Sequence, residues 1–229
     1  MVWMRTILAV LGLMLVLLPC VAVAQKPDSR MEEIEWTWEV RPAHADAKLP
    51  NVLLLGDSIT RAYFPEVEKQ LAGMANVYLM ASSTSVGDPR LEHQIDEFAA
   101  AEGVSFSVVH FNNGMHGWEY SEAEYRAAFP AFVAEIHAIA PKAALIWATT
   151  TPVKKETEPG PTNARVAARN AVAGELLKGA EIVTDDQHLL MTKHADLYQD
   201  SVHFNEEGAA LQGKQAAELI RNGLGADNK

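Results

Sequence analysis

From residue 52 onward, apolar and polar positions fall into blocks that switch between the period of a strand and that of a helix. Val52-Leu53-Leu54-Leu55 is a short unbroken apolar run, the pattern of a strand buried on both faces. A helical stretch follows over 61–71, then a second strand at 77–80 and a helix over about 91–101. Residues 106–111 form a third strand candidate. Ser121, with Glu124 three residues later, opens a long alanine-rich helix with a capping box, and that helix must stop before Pro141. A fourth strand is predicted at 143–148, then a Pro/Gly-rich loop over 152–161 and a helix over 164–177. Residues 181–183 give a fifth, short strand, and Asn205 is a good N-cap for a last helix over 206–221. Upstream, residues 34–40 alternate as an edge strand or extended flap. Its tryptophans, Trp36 and Trp38, either pack there or line a sugar site. Five strands alternating with helices predict an α/β domain: an open parallel five-stranded sheet covered on both faces.

The first residues follow a different pattern. Arg5 precedes a charge-free apolar run over 7–18, and Ala22-Val23-Ala24 has the small-x-small form of an export cleavage site. The expected organisation is a signal peptide over 1–24, a polar tether and edge strand over 25–50, and one catalytic-sized domain over 51–229. The apolar run is shorter than the roughly 20 residues needed to span a bilayer, so a retained membrane anchor is the weaker reading. A lipid-anchoring box at Cys20 fails because Pro19 stands where a small residue is needed. Cys20 is the only cysteine, so after cleavage no thiol nucleophile, disulfide or cysteine-ligated metal remains. The formal charge is −11, and loss of the signal, which carries Arg5 and no acid, makes it one unit more negative. Such a surface disfavours nucleic acid and anionic lipid and suits a neutral substrate.

Ligands of open parallel sheets sit at the carboxyl ends of strands. The first strand ends in Gly56-Asp57-Ser58, which puts the Ser58 hydroxyl at the start of a helix. Taken alone, Ser58 would be read as a helix cap. Far downstream, Asp200 and His203 stand three residues apart before the last helix, a spacing that puts both side chains on one face. A serine hydroxyl is a poor nucleophile at neutral pH and needs an oriented imidazole to take its proton. Asp185, at the end of the fifth strand, is the alternative partner for His203. Asp57, beside the nucleophile, is read as support for the loop. An oxyanion also needs donors: the Ser58 N–H, the Gly87 N–H in Ser85-Val86-Gly87-Asp88, and an asparagine amide after the third strand supply them. His110, His116, His188 and His194 match no metal-ligand spacing, so no metal and no cofactor is expected. There is no Gly-x-Ser-x-Gly elbow, which argues against the α/β-hydrolase fold.

These four segments, in this order, resemble the motif blocks of the SGNH (GDSL-like) hydrolase family. Gly56-Asp57-Ser58 resembles the nucleophile block and Ser85-Val86-Gly87-Asp88 the glycine block. Asn112 resembles the third-block asparagine, with Asn113 as its substitute, and Asp200-Ser201-Val202-His203 resembles the closing Asp-x-x-His. The resemblance runs from about Val52 to the last helix. It implies a three-layer α/β/α sandwich of flavodoxin-like type and metal-free hydrolysis of esters or thioesters. Ser58, His203 and Asp200 are then the triad, and Gly87 and Asn112 the oxyanion hole, with Ser82 and Ser83 as competing donors. His116 resembles a Gly-Leu-His variant of the third block and is a candidate contact to the substrate or the oxyanion, and Asn113 is a candidate substrate contact. Export and an acidic chain point to deacetylation of a carbohydrate ester outside the cytoplasm, in the periplasm or beyond. The alternatives are a lysophospholipase or thioesterase of the same family, and a glycan-binding domain with a silent Ser58. The sequence carries no sign of oligomeric state.

Overall fold

A computed structural model describes residues 28–226; the predicted export signal lies outside them. The strands are β1 (Thr37–Val40), β2 (Asn51–Gly56), β3 (Asn76–Ser82), β4 (Phe106–Phe111), β5 (Ala144–Ala148) and β6 (Ile182–Asp185). The α-helices are α1 (Ser58–Gln70), α2 (Arg90–Glu102), α3 (Glu122–Ile139), α4 (Asn163–Leu176), α5 (Gln187–Thr192) and α6 (Glu206–Ala226). The sheet order is β1-β3-β2-β4-β5-β6. Strands β2 to β6 pair in parallel, as expected, and β1 adds an antiparallel sixth strand on the free edge of β3, with Thr37 opposite Ser82 and Val40 opposite Leu79.

The unbroken apolar run of β2 serves both faces of this sheet. Val52 and Leu54 pack with Tyr63 and Val67 of α1, with Leu71 just after it, and with Ala216 and Ile220 of α6. Leu53 and Leu55 pack on the other face with Ile95 and Phe98 of α2 and with Phe129, Phe132 and Ile136 of α3. Period two in the strand and period 3.6 in the helices thus produce the three layers. The Ser121 hydroxyl and Glu124 side chain form the reciprocal capping box at the start of α3. The Asn205 side chain accepts from Gly208 N at 3.0 Å at the start of α6.

Connections from β2 lead first to β3 on one side and then across to β4 on the other. The strand order therefore reverses around β2, and the loops after β2 and β4 part to leave a crevice at their carboxyl ends.

The segment expected to be a loose tether departs from that expectation. Ser29 Oγ donates to Asp88 at 2.7 Å, Arg30 N donates to the Tyr120 hydroxyl at 2.7 Å, and that hydroxyl donates to Asp28 O at 2.8 Å. These bonds lay residues 28–36 across the loops that follow β3 and β4. Polar composition marked the segment as solvated, whereas its polar groups in fact bind the polar groups of those loops.

Candidate active site

Gly56 ends β2 where the chain must turn sharply into α1. A Cβ there would come within 2.1 Å of Thr60 Oγ1, so only glycine lets the helix begin this close to the strand. Asp57, 1 % exposed, caps α1 by accepting from Ile59 N at 2.9 Å. Ser58 is the first residue of that helix, with its backbone N–H at the positive end of the dipole.

The other half of the site comes from the turn before α6. Asp200 Oδ1 accepts from the N–H groups of Val202 and His203, each at 2.8 Å. Gln199 N donates to His203 O at 2.9 Å, and Lys154 N ties in Ser201 O at 2.9 Å. Tyr198 stacks on Phe204 with ring centroids 4.3 Å apart and closes the base of the turn. This conformation brings Asp200 Oδ2 to 2.8 Å from His203 Nδ1, while His203 Nε2 lies 2.7 Å from Ser58 Oγ. Partial burial works against the Asp200 charge, but the two amides and the imidazole outweigh it and hold its pKa below the ordinary carboxylate range. A charged acceptor at Nδ1 keeps the proton there and leaves Nε2 facing the hydroxyl as an acceptor.

Ser58 and His203 open on a cleft of about 350 Å³. Met115, Trp118 and Val202 give it apolar surface, Pro159 and Pro161 of the Pro/Gly-rich loop form one side, and Glu32, Glu33 and Glu119 make its rim acidic.

Asn112, Asn113 and Gly87, expected to bind the oxyanion or substrate, do not line the cleft on which Ser58 opens. The Asn112 amide donates to Ala148 O at 2.7 Å and Thr150 Oγ1 at 3.2 Å, so both its N–H groups tie β4 to the loop after β5. Asn113 does the same for the glycine loop, donating to Thr84 O at 3.0 Å and accepting from Val86 N at 2.9 Å. Gly87 is not among the cleft-lining residues; a Cβ there would strike the Tyr120 ring at 2.5 Å, which is why glycine stands at this position. Ser82 and Ser83 are spent on Gln94 and on Glu35 with the Trp36 backbone. The alternative acid Asp185 is fully buried beside His110, at 2.7 Å, with Gln187 and Gln215 as further donors, and so does not reach His203.

His116, like Met115, Trp118 and Glu119 of the same loop, does line the cleft. Its Nδ1 lies 2.9 and 3.1 Å from the two carboxylate oxygens of Glu32, and Gly117 N donates to the same carboxylate at 2.9 Å. Trp36 meets the ring edge-on at 5.8 Å, and the Arg61 guanidinium covers both Trp36 and Trp38. Trp36 therefore packs against the core, whereas Trp38 stays 51 % exposed beside the Arg61 guanidinium.

Two residues of the site carry no motif. Glu32 sits in the stretch read as a tether. Arg169, 1 % exposed, donates to the carbonyls of Gly114, His116, Gly117 and Tyr120 at 2.7 to 3.2 Å. Its guanidinium lies 4.0 Å from the Trp118 ring centroid, and burial lowers its pKa to about 10. One signal for Arg169 is present in the sequence: it shares with Val166 and Ala173 the buried face of α4, where a cation must have found partners.

The family model described as GDSL-like lipase/acylhydrolase matches residues 54–211, which include Ser58, Asp200 and His203. The chain belongs to the GDSL-like lipase/acylhydrolase family. It is an ester hydrolase of that family, known also as the SGNH hydrolases. No curated protein matches it. Solved structures resemble this acylhydrolase in fold. The C-terminal catalytic domain of Streptococcus pneumoniae peptidoglycan O-acetyltransferase A superposes with a TM-score of 0.58 at 18 % identity, over 77 % of this chain and 95 % of that one. A carbohydrate esterase family 3 protein from Talaromyces cellulolyticus gives 0.57 at 16 % identity, over 76 % and 98 %. The lipase/acylhydrolase from Enterococcus faecalis gives 0.61 at 19 %, over 76 % and 96 %.

Proposed function

We propose that this acylhydrolase is an exported serine esterase that removes small acyl groups, acetyl above all, from carbohydrate. The observation that carries the reading is the connected series Ser58 Oγ, His203 Nε2, His203 Nδ1 and Asp200 Oδ2, with both links under 3 Å. His203 takes the Ser58 proton as Oγ attacks the ester carbonyl. The resulting oxyanion is met by the Ser58 N–H, which has no partner among the described residues and lies at a helix start. The carbonyl re-forms and expels the alcohol, which takes the proton from His203. Water, deprotonated by the same ring, then releases the acid from Ser58.

The acyl and alcohol preferences rest on the cleft. It holds about 350 Å³, and the carboxylates of Glu32, Glu33 and Glu119 along it oppose anionic ligands. Two structures of the same fold are described as a peptidoglycan O-acetyltransferase domain and a carbohydrate esterase, which supports a sugar-borne acetyl group. Export rests on the signal pattern of residues 1–24. The test compares 4-nitrophenyl acetate with the octanoate, then screens acetylated polysaccharides with Ser58→Ala as control. Acetate should turn over faster, and the control should lose about 10³-fold or more of kcat. Faster octanoate turnover would move the assignment to a lipid or thioester substrate. Failure of the wild type to take up a fluorophosphonate would leave a glycan-binding domain.

A further inference from the structure

Glu32 lies outside the matched stretch 54–211, yet its carboxylate reaches the cleft that holds Ser58. We propose that Glu32 is a positioning residue for catalysis: it holds His116 so that Nε2 faces the cleft as an imidazolium N–H donor to the oxyanion. This deepens the esterase reading and rests on it.

Three observations converge on the pair. First, the asparagines expected as third-block donors do not line the cleft: the Asn112 amide donates to Ala148 and Thr150, and the Asn113 amide donates to Thr84. His116 lines the cleft beside Ser58 and His203, together with Met115, Trp118 and Glu119 of the same loop, and of these its imidazole alone can carry a positive charge. Second, the Glu32 carboxylate takes up Nδ1, so the proton on that nitrogen is fixed and Nε2 is the ring nitrogen left for a ligand. A neutral ring in that state would aim a lone pair at a developing oxyanion and repel it. The imidazolium instead offers N–H, and with it a full charge at short range.

Third, the surroundings favour the charged ring. Burial opposes it, but the bond from Glu32 and the charges of Asp57, Glu32 and Glu35 outweigh burial and raise the His116 pKa. Burial likewise opposes the charge on Glu32, and His116, with the Gly117 amide, overcomes it and lowers the pKa. The charged and polar groups around the ring come from several elements, Glu119 of its own loop among them. Glu32, Glu33, Glu35 and the Trp36 edge come from the N-terminal segment, Asp57 and Ser58 from the β2–α1 turn, and His203 from the turn before α6. Arg169 engages the backbone carbonyl of His116 and leaves its ring alone. The segment is held in place by Ser29 on Asp88, by Arg30 on Tyr120, and by Glu32 N donating to Glu35 at 2.8 Å.

The experiment measures the pH profile of 4-nitrophenyl acetate hydrolysis for the wild type, Glu32→Gln, His116→Asn, the double variant and Ser58→Ala. Glu32→Gln keeps the shape and an acceptor oxygen but removes the charge. It should lower kcat on the order of 10-fold near neutral pH, less than the ~10²–10³ of deleting an oxyanion donor, with KM little changed. The alkaline limb should move about one pH unit lower. His116→Asn supplies a donor that does not titrate, so its alkaline limb should vanish and Glu32→Gln should add no further loss in that background. Equal losses in both backgrounds, or an alkaline limb that stays in place, would overturn the proposal. An NMR titration of His116 in the Ser58→Ala protein gives a second readout. Its midpoint should fall when Glu32→Gln is added, and an unchanged midpoint counts against the pair. Wild-type turnover by Ser58→Ala would sink the esterase reading itself, whereas an inactive Ser58→Ala with a profile indifferent to Glu32→Gln would sink only the role of Glu32.

Discussion

Asp200 carries two tasks on one carboxylate. Oδ1 closes the turn through the amides of Val202 and His203, and Oδ2 fixes the imidazole. Asp200→Asn keeps an oxygen for the turn and can present its N–H₂ to Nδ1, which would reverse the tautomer and take away the lone pair that Ser58 needs at Nε2. We expect kcat on 4-nitrophenyl acetate to fall by about 10²–10⁴-fold with KM little altered. A loss below threefold would mean that another group orients His203. Ser58, Asp200 and His203 could be singled out in the sequence because their roles depend on local features: a strand end, a helix start, and a three-residue spacing. The role of Asn112 could not, since the carbonyl its amide binds belongs to Ala148 on another strand. Nothing near residue 112 in the chain foretells that contact.

The elements show the same division between local and distant causes. The buried strands could be recognised because an apolar run such as 52–55 has no other stable environment, and the long helices because period and caps agree. The α5 helix (Gln187–Thr192) went unforeseen: six residues are too few for a period, and its cap, Asp186, follows directly on the last residue of β6. The loop between β4 and α3 has no period either, and its shape is imposed from outside by Arg169 of α4 through four carbonyls. Arg169→Leu would leave those acceptors buried and empty. The expected cost is about 3 kcal/mol of stability in urea titration, with faster amide exchange in residues 113–121. If exchange accelerates evenly throughout the protein instead, the guanidinium is not specific to that loop.

At the scale of the whole molecule, several carboxylates share one behaviour. In Asp88, Asp185, Asp200 and Glu32, burial is outweighed by hydrogen bonds that hold the pKa below its ordinary value. Their stabilisation is complete above the unfolded values, about 3.9 for Asp and 4.3 for Glu, and is lost as pH falls through the lower folded ones. Glu135, raised by partial burial and by Asp96 and Glu92, acts weakly in the opposite sense. His116 is raised, so its contribution is complete below about pH 6.5 and is lost as pH climbs through the folded value. Calorimetric Tm should therefore be highest between about pH 5 and 6.5, drop steeply below about 4, and decline more gently above 7. A Tm that climbs steadily from pH 5 to 9 would contradict this balance.

The antiparallel strand β1 has a practical consequence for anyone cutting the gene. A fragment trimmed to the recognisable stretch 54–211 would start inside β2 and stop inside α6. It would also strip β1 from β3 and leave the N–H and C=O groups of Met80, Ala81 and Ser82 without their neighbours across the sheet. A bare sheet margin of this kind recruits other chains, so such a protein would gather into insoluble particles. Cloning should keep the chain from residue 28 onward, so that the strand that shields the margin and the glutamate that reaches the cleft are both retained.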